Sequence, residues 1–303
     1  MELIPGLPYD IARDCLIRVD YKQLATVVSI CKSWKSETES PEFRRLRRAA
    51  CTGQKLVVMV ASVGSDLVVL GGLDPVTWEV SVSVFIFNFV SATWRRGADM
   101  PGVRRSFFGF ASDFDRMVYV VGGHDGDKNA LRSSMAYDTA KDEWLSLPDM
   151  ARERDECKAI FRHGKLHVIG GYCTEMQGRF ERTAEVFEIA SWQWENVLDD
   201  LLEDAMCPKT CVCGSDGVLY MCRGGYVVAL KGSTWQPVAD LPADVSNIAN
   251  VTAWQDKLGV IGTAGFREPY MAYVLDLKNY KWKKMETPQQ YSGHVQSGCY
   301  LEI

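Results

Sequence analysis

Two hydrophobic patterns divide the chain, one with helical spacing near the N-terminus and one made of short apolar runs after it. In residues 7–19 an apolar side chain recurs every four positions, which predicts an amphipathic helix. A second apolar stripe over residues 24–34 predicts another helix, and Asp20 with Gln23 resembles a capping box at its start. The dipeptide at 40–41, Ser-Pro, predicts the start of a third helix. We therefore expect three short helices in the first fifty residues.

From residue 55 onward the apolar runs have the length of strands, and five of them end at glycine. In chain order they are VVLGG ending at Gly72, YVVGG at Gly123, HVIGG at Gly171, CRGG at Gly225 and GVIGTAG around Gly262. A tryptophan follows each run, at spacings of 50, 50, 41 and 47 residues: Trp94, Trp144, Trp194, Trp235 and Trp282. A period near 50 residues with β-rich runs is typical of kelch propeller blades, four-stranded sheets that bury their faces against their neighbours. The pattern predicts a mainly β fold, a kelch-type β-propeller with five recognisable blades.

The paired glycines have a second interpretation, as loops that bind phosphate. Segment 122–128, GGHDGDK, has neither the GxxxxGK[ST] spacing nor a helical pattern after it. Segment 170–178, GGYCTEMQG, does not supply GxGxxG. Strand ends are favoured, because glycine lets the chain turn with positive φ close to a crowded propeller axis.

Charge indicates where the helical part ends. The net charge is −5, and residues 1–54, with 9 Lys/Arg and 7 Asp/Glu, contribute +2, which leaves −7 for the remainder. The net charge of −5 argues against a dedicated nucleic-acid binder. No apolar run approaches the ~20 residues of a membrane span. We expect a helical domain at 1–48 and a propeller at 55–303, in the cytoplasm, the nucleus or both.

The N-terminal segment resembles a known domain. The pattern LP, then Ala12 and Cys15-Leu16, then LATVVSICKSW is similar to the F-box, which binds a Skp-type adaptor in SCF ubiquitin ligases. With the glycine repeats, nearly the whole chain resembles the plant F-box/kelch-repeat family. The runs MPGVRRSFFGFASD and MARERDECKAIFRHGKLHVIGGY resemble its subgroup implicated in cytokinin signalling and in the turnover of phenylpropanoid enzymes such as phenylalanine ammonia-lyase.

The resemblance implies a substrate-recognition subunit with two binding surfaces. The first would hold the Skp-type adaptor, and through it a cullin scaffold, with Leu7, Pro8, Ile11, Leu16, Val28 and Trp34. The second would hold a target protein for ubiquitination and proteasomal degradation. Arginines recur where two successive blades enter their inner strands, and guanidinium groups bind acidic side chains well. With residues of the long loops after the glycines, the predicted target-binding set is Arg105, Arg154, Trp78, His124, Tyr172 and Arg179.

The chain departs from that family in length. It lacks about one blade's worth of strands between the helices and the first double glycine, and residues 294–303 remain as one extra apolar strand. We predict that this strand pairs near residues 55–62 and gives a five-bladed or gapped ring, less stable than a closed six-bladed one.

Signals for catalysis or metal binding are weak. The sequence has no HExxH and no GxSxG, and the spacing in CPKTCVC is not that of a zinc ribbon. The ten cysteines lie mostly in apolar runs, as reduced core thiols do. We expect no catalytic residue, metal or cofactor. The alternative function is a kelch scaffold outside any ligase, or a propeller that binds a small molecule, with the helices as a cap.

Overall fold

The computed structural model describes residues 3–19, 21–38, 40, 42–43, 46, 57–73, 77–265, 268–286 and 298–299. The chain divides into two compact units. The helical unit comprises Met1–Leu56 with Asp74–Trp78, and the propeller unit comprises Val57–Leu73 with Glu79–Ile303.

The helical unit contains α1 (Tyr9–Ile17), α2 (Tyr21–Ile30) and α3 (Lys32–Thr38). The stripe at 24–34, predicted as one helix, is split between α2 and α3 at Cys31. Residues 42, 43 and 46 are helical as well, and the Phe43 amide donates to Ser40 Oγ at 3.1 Å. This is the N-cap that the Ser-Pro dipeptide predicts. Asp20 of the predicted capping box lies outside the described residues.

The propeller has five blades, each an antiparallel sheet of four strands in chain order. Blade 1 is β1 (Val57–Val63), β2 (Asp66–Leu73), β3 (Val84–Asn88) and β4 (Thr93–Gly97). Blade 2 is β5 (Gly109–Ser112), β6 (Met117–Val121), β7 (Ser134–Asp138) and β8 (Glu143–Leu147). Blade 3 is β9 (Lys158–Arg162), β10 (Lys165–Ile169), β11 (Ala184–Glu188) and β12 (Gln193–Trp194). Blade 4 is β13 (Val212–Cys213), β14 (Leu219–Arg223), β15 (Tyr226–Lys231) and β16 (Thr234–Asp240). Blade 5 is β17 (Asn247–Trp254), β18 (Lys257–Thr263), β19 (Met271–Asp276) and β20 (Lys281–Met285).

The double glycines end the second strand of a blade, as the sequence predicts. Gly122 has φ +62°, and a Cβ there would lie 2.2 Å from the carbonyl oxygen of Arg154. At Gly123 a Cβ would lie 2.4 Å from the carbonyl oxygen of Ser106. Glycine is therefore required here both for the left-handed conformation and for close approach of the backbone that leads into the next inner strand.

The repeated tryptophans join each blade to the one before it. The indole N–H groups of Trp144, Trp194, Trp235 and Trp282 donate to the carbonyl oxygens of Ala98, Pro148, Leu201 and Asp240, at 2.9, 2.7, 2.8 and 2.7 Å. Trp94 of blade 1 has no such acceptor in the described part of the chain, and it is 60% exposed.

The apolar core is split into four clusters, one between each pair of consecutive blades from 1 to 5. The described residues form no corresponding cluster between blades 5 and 1. Gly298 lies at that junction, where its Cβ would be 3.0 Å from Asn250 Nδ2 of β17. Cys299 lies there too, beside Ser62 of β1. The rest of 294–303 lies outside the described residues, so the pairing with residues 55–62 stays a prediction.

Within the described ranges, no helix combines the length and the apolar character needed to cross a bilayer.

Candidate adaptor-binding and target-binding sites

The helical unit has a small apolar core that takes in part of the predicted adaptor site. Leu16 is 2% exposed and lies in that core with Ala12, one helical turn before it on the same face of α1. The expectation that Leu16 contacts an adaptor is therefore wrong for this conformation. Trp34 is half-buried against the same core, and its indole N–H donates to the Leu3 carbonyl oxygen at 2.6 Å. Trp34 thus holds the start of the chain against α3.

Three other predicted residues lie on the surface of the helical unit. Leu7 is exposed, Pro8 is the exposed N-cap of α1, and Ile11 follows in its first turn at 49% exposure. Val28 lies on α2, but its side chain lies outside the described residues. Ile30, at the end of α2, is exposed as well, and the sequence pattern gave no reason to separate it from the buried stripe. Leu7, Pro8 and Ile11 form one apolar surface at the start of α1.

Arg154 enters blade 3 and is fully buried. Its guanidinium donates to the Gly170 carbonyl oxygen at 2.6 Å, to Thr183 Oγ1 at 2.9 Å and to Glu185 Oε1 at 3.0 Å. The side chains of Arg154 and Glu185 are both 0% exposed, so each ion compensates the other away from water. The expectation that Arg154 faces an open mouth of the propeller is wrong, because its guanidinium is buried against Gly170, Thr183 and Glu185 of its own blade.

Arg105 occupies the matching position in blade 2, and the expectation that it contributes to an exposed target-binding surface is wrong because it is also buried. It donates to the carbonyl oxygens of Gly122 and Ser133 at 3.1 and 3.0 Å and to Ser133 Oγ at 2.9 Å. In the strand register Met135 stands where blade 3 has Glu185, so this arginine has no buried carboxylate. Its Nε has no acceptor in the described part of the chain, and burial lowers its pKa to about 10.

A hydrogen-bonded series links the entrances of blades 2 and 3. Ser106 Oγ lies 2.8 Å from His124 Nε2, and His124 Nδ1 lies 2.8 Å from Asp155 Oδ2. The order Ser-His-Asp is that of a hydrolase triad, but Ser106 is buried. Asp155 also occupies in blade 3 the position that Ser106 has in blade 2, and its backbone pairs with Tyr172 as Ser106 pairs with His124. The Ser106–His124–Asp155 hydrogen bonds therefore connect the equivalent segments that lead into the inner strands of blades 2 and 3.

Phe107, which is absent from the predicted target-binding set, extends this linkage to the surface. Its ring stacks on His124 with centroids 5.3 Å apart, and it is 49% exposed with φ +54°. The Glu156 amide donates to the Phe107 carbonyl oxygen at 3.2 Å, and Tyr172 Oη donates to Glu156 Oε1 at 3.0 Å. We call Phe107, His124, Glu156 and Tyr172 the blade 2–3 face. Phe107 of blade 2 and Glu156 of blade 3 occupy equivalent positions, two residues after Arg105 and Arg154. This equivalence in the repeat is the sequence signal that could have identified both residues.

The remaining predicted target-binding residues differ in exposure and position. Tyr172 is mostly buried, so it supports the face through its hydroxyl group. Arg179 is exposed in the loop after β10, where its amide donates to the Met176 carbonyl oxygen at 2.8 Å. Trp78 is 71% exposed and belongs to the helical unit. Of the predicted set, the structure therefore brings His124 and Tyr172 into the blade 2–3 face.

The cysteines of CPKTCVC and a nearby histidine show no metal-binding arrangement in the part of the chain that the structure describes. Among the described residues, no group of three or more His, Cys, Asp or Glu side chains is arranged to hold a metal ion. Burial raises the pKa of the Cys211 and Cys222 thiols to about 12. Burial, assisted by the Arg162 charge, lowers the pKa of His167 to about 4.

Comparisons with known proteins match both units. The F-box domain model matches residues 4–46, and the Kelch motif model matches residues 60–101 and 105–151. The chain is 43% identical over 359 residues to F-box/kelch-repeat protein At1g80440 of Arabidopsis thaliana, with 100% of both chains covered. It belongs to the plant F-box/kelch-repeat family. A second Arabidopsis relative, F-box/kelch-repeat protein At1g15670, is 44% identical over 359 residues with the same coverage. F-box/kelch-repeat protein At2g44130 is 31% identical over 267 residues, 65% of each chain.

Membership of the F-box/kelch-repeat family sets the type of role. An F-box implies binding of a Skp-type adaptor, and kelch repeats beside it indicate a substrate adaptor of the SCF type. F-box/kelch proteins are generally adaptors rather than enzymes. The alignments to both full-length relatives span 359 positions, 56 more than the 303 residues of this chain. This difference is close to one blade, since the tryptophans lie 41 to 50 residues apart.

Proposed function

We propose that this chain is the substrate-recognition subunit of an SCF-type E3 ubiquitin ligase. The helical unit binds a Skp-type adaptor attached to a cullin scaffold, and the propeller holds a target protein. Other subunits transfer the ubiquitin, so this chain is non-catalytic and contributes by bringing the target close to them.

The observation that supports this role most directly is the exposed apolar surface at the start of α1. Leu7 and Ile11 remain exposed although the unit has its own buried core. Apolar side chains grouped on a small domain favour a protein partner, because their burial on binding is worth about 25 cal/mol per Å². The family match to the F-box supports a Skp-type adaptor as that partner.

Co-purification with a Skp-type adaptor tests this surface. We expect the double substitution Leu7→Ala and Pro8→Ala to abolish co-purification, since it removes adjacent exposed apolar groups. The matched control is Phe89→Ala with Val90→Ala, an exposed apolar pair in the propeller unit. If the Leu7/Pro8 variant binds the adaptor as well as the parent chain does, the proposal is wrong.

The blade 2–3 face is the proposed target-binding surface, and the exposed Arg179 and Trp78 stay separate predicted contacts of the target. Phe107 provides an exposed aromatic ring on a rigid support, as interface residues of high energetic weight do. Phe114 provides a matched control, because it lies beyond the other end of β5 with φ +65° and 60% exposure. We expect Phe107→Ala to lower target capture at least tenfold and Phe114→Ala to leave it unchanged, with adaptor binding intact in both. Equal capture by the two variants would reject this face.

Phenylpropanoid enzymes such as phenylalanine ammonia-lyase are the proposed targets, with action in the cytoplasm and nucleus. The support is the resemblance of the two blade entrances, residues 100–113 and 150–172, to the subgroup implicated in the turnover of these enzymes. Co-expression of the chain with phenylalanine ammonia-lyase should shorten the half-life of the enzyme in a proteasome-dependent way. The Leu7/Pro8 variant should not shorten it. An unchanged half-life with the parent chain would exclude this target.

A further inference from the structure

The innermost strands of the five blades surround a central channel. Its cavity volume is about 960 Å³, and β1, β5, β9, β13 and β17 all contribute to its wall. Cavities of about 300–1,000 Å³ match small organic ligands. Much of the wall is apolar, with Val60, Phe110, Ile160, Val251 and Trp254 among the lining residues. The channel therefore has the size and apolar character of a small-molecule site.

Two cationic side chains stand on one strand of this wall. Lys158 and Arg162 share a face of β9 with Ile160, because side chains alternate along a strand. Ile160 packs in the core between blades 3 and 4 with Cys211, so this face is turned toward blade 4. The two Cα atoms are about 13 Å apart along the strand, a span that both long side chains can close.

Neither cation has a counter-ion among the residues that the structure describes. No carboxylate in the described part of the chain pairs with Lys158 or Arg162, and the buried Arg162 Nε has no hydrogen-bond acceptor there. Burial lowers the pKa of Lys158 below its ordinary value. Two uncompensated charges in a partly buried wall are unfavourable. Arg154, four residues before Lys158, shows how a buried cation is usually compensated, since it forms an ion pair with Glu185.

The acidic residues of the channel wall are engaged elsewhere. Asp113 Oδ1 accepts bonds from the backbone amides of Asp115, Arg116 and Met117, at 3.0, 2.8 and 2.8 Å. Glu156 Oε1 accepts the Tyr172 hydroxyl group. The described residues therefore supply Lys158 and Arg162, with Lys209 of blade 4 on the same wall, without supplying an anion for them.

Blade architecture does not require these cations. In the strand register, Gly109 of blade 2 matches Lys158, and Asp113 matches Arg162. Blade 4 has Lys209 and Cys213 at the same two positions. Blade 3 differs from both neighbours in carrying a cation at each position, which indicates a role apart from folding.

We propose that the central channel binds a small organic anion, whose charged group lies between Lys158 and Arg162 and whose apolar part lies against the opposite wall. Arg162 offers a planar donor group suited to a carboxylate or phosphate, and Lys158 adds a point charge. The anion supplies the compensation that the described residues lack.

Benzoate and benzamide are suitable probes, since they have the same ring and differ in charge. With the purified full-length chain, we expect benzoate to raise the thermal unfolding temperature and to give ligand-observed NMR saturation transfer, and benzamide to do neither. Lys158→Met and Arg162→Met should each weaken benzoate binding at least tenfold. Lys281→Met, which removes an exposed charge on β20, should not weaken it. Equal effects of the two probes on the parent chain, or equal benzoate affinity in all variants, would overturn the proposal.

A carboxylate of the chain itself, such as that of Glu302, is the alternative source of the anion. A chain lacking residues 300–303 separates the two sources. If the site takes a free ligand, the parent and the shortened chain bind benzoate equally. If only the shortened chain binds it, the anion belongs to the protein and the proposal of a free ligand is wrong.

Discussion

Blades 1 and 3 share one strand register but differ in what their outer strands contact. In blade 1 the rings of Phe87 and Trp94 are 5.0 Å apart, and in blade 3 those of Phe187 and Trp194 are 5.2 Å apart. Trp194 donates its indole N–H to blade 2, whereas Trp94 is exposed. The sequence repeat therefore specifies the four strands of a blade. A preceding blade is needed to bury the outer strands and their tryptophan.

A second matched position shows the same difference. Phe85 of blade 1 is 42% exposed, and it occupies the register position of Met135 in blade 2 and Glu185 in blade 3, both buried. Within the described residues, the side of blade 1 that should pack on a preceding blade is thus uncovered. The relatives, whose alignments extend over 56 further positions, have chain of about the length needed to fill it. The candidate target-binding face lies on blades 2 and 3, away from this opening.

Of the predicted changes, removal of residues 294–303 should lower the stability of blade 1 most. The segment carries Val295, Leu301 and Ile303, and each large apolar side chain that it buries contributes about 1.5–3 kcal/mol. We expect a lower free energy of unfolding, measured in urea, and faster exchange of the β1 amides. A shortened chain that unfolds at the parent's denaturant midpoint would show that the segment does not join blades 5 and 1.

The buried arginines should differ in their effects. Arg154→Met leaves Glu185 as an unpaired buried charge, so we expect a loss of about 3–5 kcal/mol in the free energy of unfolding. Arg105→Met leaves only neutral acceptors unpaired, and we expect a loss of about 1–3 kcal/mol.

Chemical unfolding of both variants measures this difference. The combined Arg154→Met and Glu185→Met chain serves as the control and should recover part of the loss, because no charge remains. Equal losses for the two single variants would contradict the assigned role of Glu185.

The tryptophans should give the smallest difference. Trp144→Phe removes one interblade hydrogen bond and keeps the ring contact with Tyr137, so we expect a loss of about 0.5–1.5 kcal/mol. Trp94→Phe removes no such bond within the described residues, and we expect a change below about 0.5 kcal/mol. A comparable loss for both variants would mean that Trp94 has a partner.

The five blades could be predicted because each carries its own local signals, a glycine after the second strand and a tryptophan in the fourth. The environment of the buried arginines could not be predicted from such local signals. The partner of Arg154 is Glu185, thirty-one residues later on another strand, and the pattern around Arg154 alone is that of a polar loop. Exposed arginines at a mouth and buried arginines at strand ends have the same local sequence.

Two apolar positions show a similar limit. Leu16 was expected at the adaptor surface with Ile11, but helical spacing does not tell which of two apolar faces turns inward. Phe107 and Phe108 look alike in RRSFFGF, yet Phe108 is buried and Phe107 is exposed. The left-handed φ of Phe107 breaks the strand alternation, and no residue in the run indicates it, because glycine is the usual sign of that conformation.

Native-state hydrogen exchange, followed residue by residue in the full chain, tests the central comparison most directly. If blade 1 is open on one side, the amides of β2 and β3 exchange faster than those of β10 and β11, because blade 1 opens at a lower free energy. Equal or greater protection of β2 and β3 would contradict an open side at blade 1.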